Sequence, residues 1–122
     1  MAEIEKFKEI TNMVRKVLLL LASRENPFDF TTNYVLEKEL RKDKYFTADF
    51  IKYMYDARLF QGANTSCPSL TPIGLQLAQD IFDNDLWDKA TEFCDERGLY
   101  SLESVVNAAG VIRKKMIDEE LA

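Results

Sequence analysis

Histidine is absent from these 122 residues, and that absence excludes more chemistry than any motif present supplies. Without an imidazole there is no Ser-His or Cys-His nucleophile pair, and the commonest zinc ligand is gone. Walker, G-x-G-x-x-G and H-E-x-x-H patterns are missing as well. Carboxylate-only catalysis and magnesium binding stay open, but the chain reads as non-enzymatic, with no cofactor and no metal. Cysteine is scarce: Cys67 and Cys94 read as two free thiols, Cys94 on a buried helix face. Four glycines and three prolines leave little punctuation, which argues for a helix-rich chain with few long loops. Long hydrophobic runs are lacking too. The longest, Val17-Leu18-Leu19-Leu20-Leu21-Ala22, is far too short to span a bilayer, so no membrane role is expected. Charged Glu3, Glu5, Lys6, Lys8 and Glu9 precede that run and no small-residue cleavage site follows it. The expectation is no signal peptide and a cytoplasmic location.

What is present has globular proportions: 47% hydrophobic and 30% charged residues. The length fits one domain, or one domain with a helical appendage. Residues 3–23 read as a long first helix, with Ile4, Phe7, Ile10, Val14, Val17 and Leu21 at three- and four-residue steps. Lys6, Glu9, Arg15 and Lys16 lie largely opposite. Asn26-Pro27 stops the pattern. Phe28-Asp29-Phe30-Thr31 alternates as a short strand or an extended linker does, and Thr32 or Asn33 can cap a short helix reaching about residue 42. For the third helix Thr47 is the expected cap, with Phe46 stapled onto Ile51. Phe50, Met54 and Ala57 form its inward stripe, flanked by Ile51 and Tyr55.

Residues 70–90, LTPIGLQLAQDIFDNDLWDKA, are the strongest fold marker. Thr71 and Pro72 start a helix: a hydroxyl cap, then a proline where the first turn needs no N–H. Just upstream, Leu59-Phe60-Gln61-Gly62 and Ser69-Leu70-Thr71 read as the two arms of a small hairpin. Its uncharged tip, residues 63–69, holds Asn64, Thr65, Ser66 and Cys67. Helix, short strand, loop, Leu-Thr, helix is the layout of a winged-helix domain. The helix from Pro72 to about residue 82 should bury Ile73, Leu77 and Ile81. Asp85 should cap another helix with Trp87, Ala90 and Cys94 on one face, closed by Gly98 as its C′ residue. Trp87 reads as a core anchor. Ser101 caps the final helix, with Tyr100 stapling onto Val105. The expected fold class is therefore mostly α (α+β), a winged-helix-like core with a small β-hairpin over residues 1–82. A C-terminal helical extension, residues 83–122, would pack on it as one structural unit.

Several of these segments together resemble the phage- and prophage-associated family called domain of unknown function 2513. The matching residues are Tyr45-Phe46-Thr47, Ala57-Arg58-Leu59-Phe60, Leu70-Thr71 with Gly74, Asp83-Asn84-Asp85-Leu86-Trp87-Asp88-Lys89, and Ser101-Leu102-Glu103. The resemblance covers residues 45–117 and implies a winged-helix-like core, a helical tail and a phage context, with no reaction or ligand. One departure is Arg58, where that family has glycine in an Ala-Gly-Leu-Ile-like turn; arginine tolerates a positive φ poorly.

Winged helices most often bind DNA, with the helix before the hairpin in the major groove and the wing near the backbone. Residues 48–58 would be that helix, exposing Asp49, Lys52, Tyr53, Asp56 and Arg58. Lys52 and Asp56, four residues apart, can neutralise one another, so this helix alone reads as a mixed-charge solvated surface. Lys38, Arg41, Lys42 and Lys44 just upstream supply more positive charge. With Thr47, Lys52, Tyr53 and Arg58 they form the expected contact set for double-stranded DNA. Residues 31–60 carry six basic and five acidic side chains, whereas residues 61–122 carry five basic and eleven acidic. Phosphate neutralisation supplies most DNA affinity, so a duplex would approach only the first region. The acidic region holds Asp80, Asp83, Asp85, Asp88, Glu92, Asp95 and Glu96. It reads either as a surface kept soluble by carboxylates or as a docking site for a host or phage protein, in the manner of an anti-repressor or nucleic-acid mimic. No calcium-loop spacing is present.

Leu102, Val105, Ala109, Ile112 and Met116 follow the alternating three-four step of a coiled-coil seam. That seam packs either on the chain's own first helix or on a second copy, making a homodimer with two half-sites. The leading expectation is DNA-binding transcription regulation; the alternative is the protein-interaction module.

Overall fold

The computed structural model describes residues 2–62 and 67–121, with side chains from residue 7 onward. The expected tip residues Asn64, Thr65 and Ser66 and the side chains of Ile4 and Lys6 lie outside the described residues. In chain order the elements are α1 (Ala2–Ala22), α2 (Asn33–Leu40), α3 (Lys44–Asp56), β1 (Phe60–Gln61), β2 (Ser69–Leu70), α4 (Pro72–Asp80), α5 (Asn84–Glu96) and α6 (Leu102–Leu121). The fold is mostly helical with one small antiparallel sheet, Phe60 opposite Leu70 and Gln61 opposite Ser69. Three helices followed by a hairpin reproduce the expected order for the winged-helix-like core. No described helix is long and apolar enough to cross a membrane.

Local signals set many of the helix ends. Thr32 caps α2 through a bond from the Val35 N–H, and Thr71 caps α4 through one from Gly74, with Pro72 in the first turn. Ser101 accepts from the Ser104 N–H at 3.1 Å at the start of α6. Gly98, at φ 67°, closes α5 as expected: its N–H reaches the Asp95 carbonyl, and the Leu99 N–H reaches that of Cys94.

Four local expectations need correction. The cap of α3 is Asp43, whose carboxylate accepts from the Phe46 N–H at 2.8 Å; Phe46 thus lies inside the helix and forms no staple ahead of it. Asp83, not Asp85, caps α5. Ile73 faces outward, 52% exposed, while Gly74, Leu77, Ala78 and Ile81 face the core. Residues 28–31 take the linker alternative and not the strand, and the Thr31 N–H donates to the Pro68 carbonyl at 2.8 Å beside the hairpin. Tyr100, finally, packs edge-to-face on Phe7, with centroids 6.0 Å apart, and donates its hydroxyl to Asp95.

One apolar cluster joins every helix. It holds Val14, Val17, Leu18 and Leu21 of α1, Leu36 of α2, Phe50, Ile51 and Met54 of α3, Leu77 of α4 with Ile81 just beyond it, and Trp87 and Cys94 of α5. Burial of this order, at roughly 25 cal/mol per Å² of apolar surface, is the main stabilising term. The same cluster includes Leu102, Val105, Ala108 and Ala109, so the segment 83–122 shares its core with 1–82. Here α6 lies mainly on α5 and α4. The proposed dimer seam is therefore occupied by the chain itself: Leu102, Val105 and Ala109 are buried, and Ile112 is packed against the same core. Met116, farther along α6, is half-buried.

Arg15 was expected on a solvent face and is instead a clamp. Its guanidinium donates to the carbonyls of Ile81 and Phe82 at 3.1 and 3.3 Å and to Asn84 Oδ1 at 2.6 Å, and lies 5.5 Å from the Trp87 ring centroid. One side chain of α1 thereby satisfies the exposed carbonyls at the end of α4 and fixes the corner into α5.

Candidate functional site

The α2–α3 end is built around a three-residue turn, Arg41-Lys42-Asp43, a length typical of helix-turn-helix units. Arg41 ends α2 in the left-handed region at φ 56°, and its N–H bonds the Glu37 carbonyl. Arg58 does the same beyond α3 at φ 63°: its own N–H reaches the Tyr55 carbonyl and the Leu59 N–H reaches that of Met54. This is the paired-bond pattern in which glycine normally sits. Arg41 and Arg58 are the only non-glycine residues with positive φ among the described residues.

Between these ends α3 buries Phe50, Ile51 and Met54 and exposes Lys44, Tyr45, Ala48, Asp49, Lys52 and Asp56. Tyr45 is 72% exposed, its ring 5.1 Å from the Lys44 ammonium. Lys38 sits 4.4 Å from the exposed Tyr34 ring. Tyr53 is half-buried, and that burial pushes its phenol pKa up. Thr47 does not belong to the surface: it is fully buried, and its hydroxyl donates to the Asp43 carbonyl at 2.8 Å. It is corrected here from contact residue to packing residue. Lys42 is engaged with Glu9 of α1 at 3.3 Å. Lys38, Arg41, Lys44, Lys52 and Arg58 carry no ion pair among the described residues, and the expected Lys52–Asp56 pair is not formed.

The acidic residues separate into engaged and free groups. Asp80 is half-buried, paired with Arg113 of α6 and bonded by Gln76. Asp83 holds the N–H groups of Asp85 and Leu86. Asp95 accepts from Tyr100 at 2.8 Å and from Lys8 at 3.2 Å; these bonds hold its carboxyl below the usual carboxylate range and push the Tyr100 phenol up. Asp85, Asp88 and Glu92 are exposed and form no ion pair among the described residues. No group of three or more histidine, cysteine or carboxylate side chains is placed to hold a metal among the described residues. Cys67 and Cys94 are free; burial pushes the Cys94 thiol pKa up.

In comparisons with known proteins, the chain matches no family model, no curated protein and no solved structure. The resemblance to domain of unknown function 2513 stands on its motif residues alone.

Proposed function

We propose that the protein is a non-enzymatic, cytoplasmic regulator of phage or prophage type that binds double-stranded DNA through α3 and its flanking turns. The observation that carries this reading is the pair of left-handed arginines. A non-glycine residue in that conformation costs roughly 1 kcal/mol, and strain of this kind clusters at functional positions. Both instances are arginines, each directly follows or lies just beyond a helix of the helix-turn-helix pair, and neither guanidinium is ion-paired among the described residues. Lys38, Lys44 and Lys52 add free charge on the same end, against Asp49 and Asp56 on α3. Tyr45 supplies an exposed aromatic ring beside them.

Fluorescence anisotropy with labelled duplex tests this reading. Binding is expected at ~50 mM salt and should fall about a hundredfold by ~200 mM, the dependence for roughly four phosphate contacts. Lys44→Glu and Lys52→Glu should each weaken it about tenfold or more, while Lys42→Gln should change it little. Absence of binding at ~50 mM salt overturns the reading.

A second reading is favoured by the free carboxylates of Asp85, Asp88 and Glu92: α5 docks a basic host or phage protein. Pull-down with Asp85→Asn, Asp88→Asn and Glu92→Gln combined tests it, and unchanged recovery of partners counts against it.

A further inference from the structure

The first part of α6 is tied to the molecule and the rest of it leaves the core. Leu102, Val105, Ala108 and Ala109 are buried, and Arg113 reaches back to Asp80. Beyond Arg113 no α6 side chain is buried, and none forms a hydrogen bond or ion pair among the described residues. The helix nevertheless continues to Leu121. A segment of about two turns with so few tertiary contacts is marginal in water. Its last turn carries Asp118, Glu119 and Glu120 and no base, the sign of charge that the helix dipole disfavours there.

At about 3.6 residues per turn, Val111, Lys114, Ile117, Asp118 and Leu121 share the face opposite Val105, Ala109 and Ile112. This face is distinct from the seam that the chain fills itself. Its apolar members are open: Val111 is 68%, Ile117 42% and Leu121 81% exposed. Val111 also borders a groove of about 240 Å³ between α5 and α6, lined by Phe93, Leu99, Ala108 and Ile112, so the apolar surface continues onto the body of the molecule. Contiguous apolar surface of this kind marks an interaction site. Lys114 and Asp118, four residues apart, do not pair with each other; lysine ahead of the acid is the weaker order within a helix.

We propose that this face of α6 binds the same face of a second copy of the chain, the two helices running antiparallel. Charge names the occupant. Arg113-Lys114-Lys115 is followed, after Met116 and Ile117, by Asp118-Glu119-Glu120, a pattern complementary to its own reverse. A two-fold axis at the level of Met116 sets Lys114 opposite the partner's Asp118 and Val111 opposite the partner's Leu121. Each pair occurs twice by symmetry, and Ile117 lies beside its own counterpart. The acidic last turn of each copy then meets the bases of the other. Parallel pairing would set Lys114 against lysine and Asp118 against aspartate. The contact spans about 15 Å of helix, short of the area of a standard interface, so the association is weak. It lies outside the helix-turn-helix pair and does not depend on duplex binding.

Sedimentation equilibrium of the full chain, without nucleic acid and at low ionic strength, tests this. The mass should rise from 14.1 kDa toward twice that value with a Kd of about 100 µM. Lys114→Glu and Asp118→Lys should each weaken self-association about tenfold or more, since each change turns two attractive pairs into repulsive ones. Leu121→Asp should do the same. All three positions are exposed, so circular dichroism should remain that of the parent chain. Mixing the Lys114→Glu chain with the Asp118→Lys chain should recover the dimer mass, because both cross-pairs become complementary again. A mass of 14.1 kDa at all concentrations up to ~1 mM, a dimer indifferent to these substitutions, or no recovery on mixing overturns the proposal.

Discussion

Arg41 and Arg58 occupy a backbone region that glycine enters without strain, and each therefore trades stability for a charged side chain at that point. Replacing either should separate the two effects. Arg58→Gly is expected to stabilise the fold by about 1 kcal/mol, partly offset by the greater chain entropy of glycine when unfolded, and to weaken duplex binding. Thermal melts and anisotropy titrations on the same variant check both halves; a destabilised Arg58→Gly would show that the arginine's own contacts outweigh the strain. Gly74 is the opposite case. A Cβ there would lie 2.5 Å from the Leu59 carbonyl oxygen, a backbone atom that also accepts from the Thr71 N–H. Gly74→Ala should destabilise by about 2 kcal/mol or more in urea melts, since the clash can be relieved only by moving α4 off the hairpin base. The sequence identified Gly74 only as part of a motif; its reason is the close approach of two segments fifteen positions apart.

Among the helices, caps were legible where a single good capping residue stood at the boundary. Thr71, Ser101 and Gly98 act within three residues of themselves, and their chemistry is local; at α2, where Thr32 and Asn33 were both candidates, Thr32 is the cap. The reading failed at Asp43 and Asp83, where two capping side chains stand two to four positions apart. Tertiary packing chose between them at α3: Thr47 is drawn into the core, which leaves Asp43 as the cap. Arginine clamps were not legible at all. Arg15 reaches Asn84 across 69 positions, and Arg24 gathers the carbonyls of Leu21, Pro27, Asp29 and Phe30 to close the linker after α1. Arg15→Ala is expected to destabilise by about 2 kcal/mol, because it strips the donor from the carbonyls that end α4 and uncovers Trp87. Arg15→Lys should recover little of this, as one ammonium cannot span three acceptors in a planar fork. Urea unfolding followed by Trp87 fluorescence measures both.

For the whole molecule, the decisive arrangement is which faces the chain consumes in folding. The C-terminal seam has the period of a coiled coil, yet Ala109 is completely buried against the chain's own helices. Ala109→Glu should then destabilise the fold by about 3 kcal/mol or more, by burying an unpaired charge. Denaturant melts at two protein concentrations test this: a folded variant with a lowered mass in light scattering would restore the seam to an interface between copies. Charge is arranged with equal consequence. The net of −5 is concentrated after residue 60, whereas Lys38, Arg41, Lys44, Lys52 and Arg58, without an ion pair among the described residues, belong to α2, α3 and their flanking turns. Under the proposed reading, a duplex would be repelled from α5 and admitted at α3.

By itself the sequence determined what depends on neighbours along the chain: helical content, the hairpin between Leu59 and Thr71, the apolar stripes, the helix start at Thr71-Pro72 and the two-ended charge. Those follow from periodicity and from capping bonds spanning a few residues. Only the tertiary structure decided which surfaces stay free. It buried Thr47, tied Lys42 to Glu9 and Asp80 to Arg113, filled the seam of α6, and left Asp88 and Glu92 without an ion pair among the described residues. Those outcomes depend on contacts between segments far apart in the chain. Residues 70–90 specify their own helices but not what lies against them.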